Sequence, residues 1–122
     1  MNIAFDIDDT LWKIVPDLSP SAQILSQHRG YQSYKQVPDY DLISVLKWFK
    51  SNGANVYVWS AGGTDYAQTI VDKLGLDSYV VVIDKEMRYS GEEKFIDIAF
   101  DDEDVELGKV NIKIKREARE SY

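Results

Sequence analysis

A chain of 122 residues with 44% apolar, 29% charged and 12% aromatic side chains is sized for one domain around one core. Its 21 acidic side chains outnumber 14 basic ones, a formal charge of −7, which argues against a basic nucleic-acid-binding face. The absence of cysteine excludes disulfides, thiolate metal sites and a cysteine nucleophile, and the single histidine, His28, excludes multi-histidine metal centres.

In chain order, the run from Asn2 to Ile7 is nearly all apolar and reads as a buried strand ending in a polar cluster. Ser19-Pro20 offers an N-cap followed by proline at the first helical position, and Gly30 a C-cap, so 20–29 is expected to be a short helix. Residues 39–51 predict a stronger helix, with Leu42, Leu46 and Phe49 on one face and Gly53 beyond its end. Asn55 to Trp59 (NVYVW) predicts a second strand. Thr64 to Leu74 predicts a helix closed by Gly75, with Ala67, Ile70, Val71 and Leu74 facing the core. Tyr79 to Ile83 and Ile96 to Phe100 predict two more strands. Val110 to Ile114 alternates apolar and polar, which suits an edge strand with one wet face, and the charged tail 115–122 is expected to fray. Apolar strands separated by helices predict an α/β fold, a doubly wound and mainly parallel sheet covered on both faces.

Ligands of such sheets bind beyond the carboxyl ends of the strands. The first strand ends in Asp6-Ile7-Asp8-Asp9-Thr10, the second in Ser60-Ala61-Gly62-Gly63, the third in Asp84-Lys85 and the fourth in Asp101-Asp102-Glu103-Asp104. Taken singly each is unremarkable: a D-x-D-x-T match is weak in a chain rich in Asp, S-A-G-G is an ordinary strand-to-helix turn, and acidic runs are usually solvated. A calcium loop does not fit, because Leu11 stands where glycine is needed and Asp17 where a closing Glu is needed. In order, each at a strand end, the four clusters bring carboxylates, a hydroxyl and an ammonium to one rim. Several carboxylates that close together repel one another unless a cation lies among them, and oxygen ligands without histidine or cysteine select Mg²⁺. Cation, ammonium and oriented N–H groups together suit a phosphoryl group.

These residues resemble the haloacid dehalogenase superfamily in its phosphatase branch, over four motifs spanning residues 3–104. The resemblance implies a Rossmann-like core and a Mg²⁺ cofactor. It implies that Asp6 is the nucleophile that forms an aspartyl-phosphate. Asp8 would be the general acid and base and, through its carbonyl, a metal ligand. Thr10 would brace the turn. Ser60, with the backbone beside Ala61, would bind the phosphoryl oxygens. Asp102 would complete the metal site with Asp101 in support. The motif lysine is Lys85 or Lys94. Lys85 directly follows the third strand and so lies on the rim. The fourth strand must climb roughly 17 Å from near Lys94 to Asp101, which favours Lys85.

The superfamily selects substrates through cap insertions. Here residues 12–38 are expected to hold only one short helix and a loop, too little for a separate core, which implies a single capless domain over 1–122 with an open site. Trp12, His28, Arg29, Tyr31, Tyr34 and Lys35 of this insertion either cover the sheet edge or contact substrate. The expected activity is hydrolysis of a phosphorylated small molecule, a nucleotide or a macromolecular phosphate end, with a homo-oligomer conceivable as the lid. The alternatives are a receiver-like phospho-Asp signalling module and a catalytically idle binding member. No apolar run approaches the roughly 20 residues of a membrane span, and no basic leader precedes the first strand, so no membrane partner and a cytoplasmic location are expected.

Overall fold

The computed structural model describes residues 1–86 and 95–116. The elements run β1 (Asn2–Asp6), β2 (Trp12–Pro16), α1 (Pro20–Arg29), β3 (Tyr34–Pro38), α2 (Tyr40–Ser51), β4 (Asn55–Trp59), α3 (Thr64–Lys73), β5 (Val81–Val82), β6 (Ile98–Asp101) and β7 (Val110–Lys113). Five of the strands form one sheet in the order β5-β4-β1-β6-β7, and all four pairings are parallel. Numbered within the sheet, that order is third, second, first, fourth, fifth, as in a Rossmann-like fold. The order reverses between β1 and β6, and this pair forms the topological switch point.

Local chemistry sets the helix ends. The Ser19 hydroxyl accepts the Ala22 N–H at 3.3 Å and opens α1, with Pro20 just inside. The Asp39 carboxylate accepts the Leu42 N–H at 3.0 Å and opens α2. Gly30, at φ 74°, closes α1 in the left-handed region where a side chain would be strained.

Alternation along the strands divides the core. Ile3 and Phe5 of β1, Val56 and Val58 of β4, and Phe100 of β6 face Leu42 and Leu46 of α2 and Ala67, Ile70 and Val71 of α3 in one cluster. Phe5 and Phe100 stack across the switch point with ring centroids 4.5 Å apart. The opposite face, Ala4, Trp59 and Ala99, is covered by Ile96 and Leu107, with Ile83 and Val105 beside them. Right-handed crossovers explain the split. The steps from β1 to β4 and β4 to β5 run one way along the sheet and place both helices on one face. The steps from β5 to β6 and β6 to β7 run back, and the described residues of their connections lie on the other. Among the described residues, that second face is covered by connecting segments, where the sequence suggested helices on both faces.

Four further expectations are corrected. Residues 12–38 are more than a helix and a loop: β2 and β3 pair antiparallel, from Trp12 with Pro38 to Pro16 with Tyr34, and α1 caps the far end. The β-branched and aromatic content of Trp12–Val15 carried that signal, masked by the prolines around it. The third sheet strand shrinks from 79–83 to Val81–Val82, because the Tyr79 N–H is taken by the Leu76 carbonyl in a turn. All four residues of β7 are exposed, so this edge strand has no dry face. The tail is not frayed at its start: Arg116 is half-buried and bonded into the domain. The remainder of the tail, 117–122, lies outside the described residues.

The β6–β7 connection uses only residues 102–109, fewer than the dozen or so of an ordinary parallel crossover. Asn111 makes the tight return possible. Its side-chain oxygen accepts the N–H groups of Leu107 and Gly108 at 2.8 and 2.9 Å, and its amide donates to the Gly108 carbonyl at 2.8 Å. A Cβ on Gly108 would lie 3.0 Å from the backbone of Ala99 and of Val110 and 3.2 Å from the Ile96 carbonyl, atoms that cannot yield independently. Gly108→Ala should therefore cost about 1–3 kcal/mol in urea unfolding. An unchanged midpoint would show that the return is looser than described.

Candidate active site

The carboxyl ends of β1 and β6 bring three acids together. One carboxylate oxygen from each of Asp6, Asp101 and Asp102 lies within 4.8 Å of the others. Asp6 and Asp101 are the last residues of their strands and are buried. Their side chains follow from register: Phe5 pairs with Phe100, so the next residue on each strand projects from the opposite face at the same height.

Lys85 closes the cluster from the end of β5. Its ammonium donates to Asp6 Oδ1 at 3.0 Å and to Asp101 Oδ2 at 3.1 Å, with the lysine side chain 15% exposed. A shielded ion pair of this kind is strong only because its hydrogen bonds are made on both sides. Among the described residues, Lys85 is the lysine that reaches the acids, and Lys94, the other candidate, lies outside the described residues. The far oxygen of Asp6 accepts the Thr10 hydroxyl at 3.4 Å, the long end of hydrogen-bond distance.

The intervening turn is tightly wound. The Ile7 carbonyl accepts the N–H groups of Thr10 and Leu11 at 3.1 and 3.0 Å and that of Trp12 at 3.4 Å. Asp9 pays for the curvature with φ 59°, a left-handed conformation that Asp tolerates better than most side chains. Asp8, between Asp6 and this bend, is exposed, and its carboxylate stands outside the three-acid cluster. Instead it accepts the Tyr66 hydroxyl at 2.6 Å.

Tyr66 stands in the first turn of α3, and the sequence reading passed over it in favour of the apolar residues that follow. The available signal was its place directly after a strand-end glycine turn. Gly62 is part of that arrangement, since a Cβ there would lie 3.0 Å from the Tyr66 ring. Burial first, then the Asp8 carboxylate, push the Tyr66 hydroxyl up to about 12, so it stays protonated and donating. Ser60 is buried one residue past Trp59, which pairs with Asp6. Its hydroxyl oxygen accepts the Gly62 N–H at 3.0 Å and retains its own proton to donate. Ala61, beside it, is exposed.

Residues 28–35 fall elsewhere. His28 and Arg29 end α1, and Tyr34 and Lys35 start β3 at the end of the ribbon away from Trp12. Arg29 donates to the Tyr31 hydroxyl at 3.0 Å. Of the candidate substrate contacts, only Trp12 sits where the ribbon leaves the turn after Asp6.

Burial above all, and then the Asp101 carboxylate, raise Asp6 to about 7 despite the neighbouring Lys85. Burial and Asp101 also raise Asp102. Burial alone would lower Lys85, but Asp6 and Asp101 outweigh it and hold its pKa above the usual value. Three oxygen donors crowded to this degree, with no nitrogen or sulfur among them, fit a hard divalent cation such as Mg²⁺. Compared with family models, with curated proteins and with solved structures, the chain matches none. Among the described residues, no helix is long and apolar enough to cross a membrane.

A carboxyl that titrates higher folded than unfolded holds its proton more tightly in the fold. Its contribution to stability is complete below the unfolded value of 3.8 and is lost as pH rises through about 7. Asp17, Asp39 and Asp97, whose pKa values are lowered, act in the other direction only at acid pH. The metal-free protein should therefore melt at progressively lower temperature from pH 5 to pH 8, and Asp6→Asn should flatten that slope. A wild-type melting temperature that rises across this range would contradict the crowding.

Proposed function

We propose that the protein is a Mg²⁺-dependent phosphomonoester hydrolase of the haloacid dehalogenase type, working through an aspartyl-phosphate on Asp6. The observation that carries this reading is the convergence of Asp6, Asp101, Asp102 and Lys85 at the switch point of the parallel sheet. The order of the four clusters along the chain supports it, as does a sheet topology compatible with a Rossmann-like core.

In this reading Asp6, Asp101 and Asp102 hold the cation, which when bound neutralises charge on both the carboxylates and the phosphoryl oxygens. Lys85 supplies a second positive charge between Asp6 and Asp101. The hydroxyl of Ser60 donates to a phosphoryl oxygen. An Asp6 carboxylate oxygen forms the new bond to phosphorus as the bond to the leaving oxygen breaks, and Asp8 delivers its proton to that oxygen. Water then attacks phosphorus, Asp8 takes the water's proton, and the bond between Asp6 and phosphorus breaks to release phosphate and the free carboxylate. Tyr66 fixes the Asp8 carboxylate and leaves its second oxygen for the transferred proton. The substrate is a phosphomonoester that reaches an open rim. The ribbon of β2 and β3 with α1 is the only structure inserted between β1 and α2.

Asp6→Asn should lower turnover of an aryl phosphate by more than about a thousandfold without loss of fold. Lys85→Ala should cost on the order of a hundredfold, about 3 kcal/mol of transition-state stabilisation. Wild-type turnover by folded Asp6→Asn would exclude the covalent route through Asp6, and no turnover by the wild type would leave a binding or receiver-like role. Independently of activity, Mg²⁺ should raise the melting temperature through preferential binding to the folded state, and Asp102→Asn should remove most of that rise. Full activity after exhaustive chelation, with no thermal shift on adding Mg²⁺, would remove the metal from the proposal.

A further inference from the structure

The turn after Asp6 presents three consecutive carbonyls, those of Asp9, Thr10 and Leu11. The Leu11 carbonyl accepts the Asp39 N–H at 2.9 Å. The other two are taken by one side chain from the far end of the chain. Arg116 donates from Nε to the Asp9 carbonyl at 2.7 Å and from Nη2 to the Thr10 carbonyl at 2.8 Å. The same Nη2 reaches Asp39 Oδ2 at 2.8 Å, while Asp39 Oδ1 caps α2 through the Leu42 N–H. A single planar guanidinium thus joins the turn, the start of α2 and the segment after β7. All three acceptors lie within reach of its rigid fork, which a lysine ammonium cannot reproduce.

The place of these contacts matters more than their number. They fall on the two residues that follow Asp8, one of them the left-handed Asp9. Thr10, the second, reaches back to Asp6. Loss of the guanidinium would strand two carbonyls and a largely buried carboxylate, which the turn could relieve only by rotating its peptides toward water. Such a rotation swings Asp8 away from Tyr66 and Thr10 away from Asp6.

We propose that Arg116 is a positioning residue of the active site, holding the turn so that Asp8 can deliver its proton. The inference rests on the hydrolase reading above. It makes the segment after β7 part of the catalytic apparatus, although it touches none of the reacting groups.

The test compares Arg116→Ala with wild type and with Lys115→Ala, an exposed neighbour, on two substrates. With an alkyl phosphate, whose leaving oxygen needs the Asp8 proton, kcat should fall about 30-fold in Arg116→Ala, with KM changed less than about threefold. With a nitrophenyl phosphate, which leaves without protonation, the loss should be several-fold smaller. Millimolar guanidinium should restore much of the alkyl phosphate activity. Equal losses on both substrates without rescue, or no loss, would overturn the proposal. Should Arg116→Ala fail to fold, Arg116→Lys keeps the charge opposite Asp39 and loses the fork. It should show the same substrate-selective loss, and wild-type behaviour would overturn the proposal. Should wild type hydrolyse neither substrate, the hydrolase reading fails first. Amide exchange then decides for Arg116: Thr10 and Leu11 should exchange at least about tenfold faster in the variant while Leu46 is unchanged, and unaltered exchange at all three would overturn it.

Discussion

Asp6 and Asp101 are forced together by the sheet itself. They end adjacent parallel strands at equal height, their side chains project from the same face, and the sheet order leaves a crevice above them. Two buried carboxylates in that position repel, and Lys85 at 3.0 and 3.1 Å opposes that repulsion, while burial above all and then the Asp101 charge hold Asp6 above the ordinary carboxylate range. The remaining features of the rim accommodate that crowding. Asp102 adds a third oxygen donor. Thr10 hydrogen-bonds the second oxygen of Asp6, and the bend at Asp9 carries Asp8 clear of the cluster to Tyr66.

Hydrophobic burial and charge crowding meet at this place. The hydrophobic face beneath, with stacked Phe5 and Phe100 and the side chains of α2 and α3, supplies the burial that tolerates an unfavourable charge cluster at the strand ends. The cluster is confined to the last residue of each strand and the loop beyond. There it perturbs no ladder hydrogen bond, and solvent or a cation can approach. A rim built in this way is less stable than an apolar one of equal shape.

Much of this was legible in the sequence because it is written in short range. Five-residue apolar runs, glycines after helices and Ser19-Pro20 each declare their element locally, and acids at successive strand ends declare a rim once the sheet is parallel. The ribbon of β2 and β3 was less visible. Two prolines, Pro16 and Pro38, sit at its ends, and its strands pair across a helix rather than a tight turn. The partners that complete the site were the least legible. Tyr66 reaches Asp8 over 58 residues and Arg116 reaches Asp9 over 107. Beyond the glycine turn before Tyr66, nothing in the local pattern around either residue distinguishes it from a helix-surface tyrosine or a tail arginine. Such contacts exist only after the strand order has been set.

The same strand order bears on how the chain is made. β1 sits at the centre of the sheet, yet it precedes every strand that flanks it. Its neighbour β4 follows after some fifty residues, and its other neighbour β6 after nearly a hundred, as the Asn2–Asp97 hydrogen bond across 95 positions records. At about 5–20 residues per second, a ribosome leaves one edge of β1 without its partner for roughly 5–20 s. During that time Ile3, Ala4 and Phe5 present an apolar strand with an open edge, the kind of segment that pairs with other nascent chains. The acids that end and follow it, Asp6, Asp8 and Asp9, then lie directly beside a sticky strand as like charges that keep copies apart. The acids that crowd the rim of the finished sheet would thus act as gatekeepers while the chain is still being synthesised.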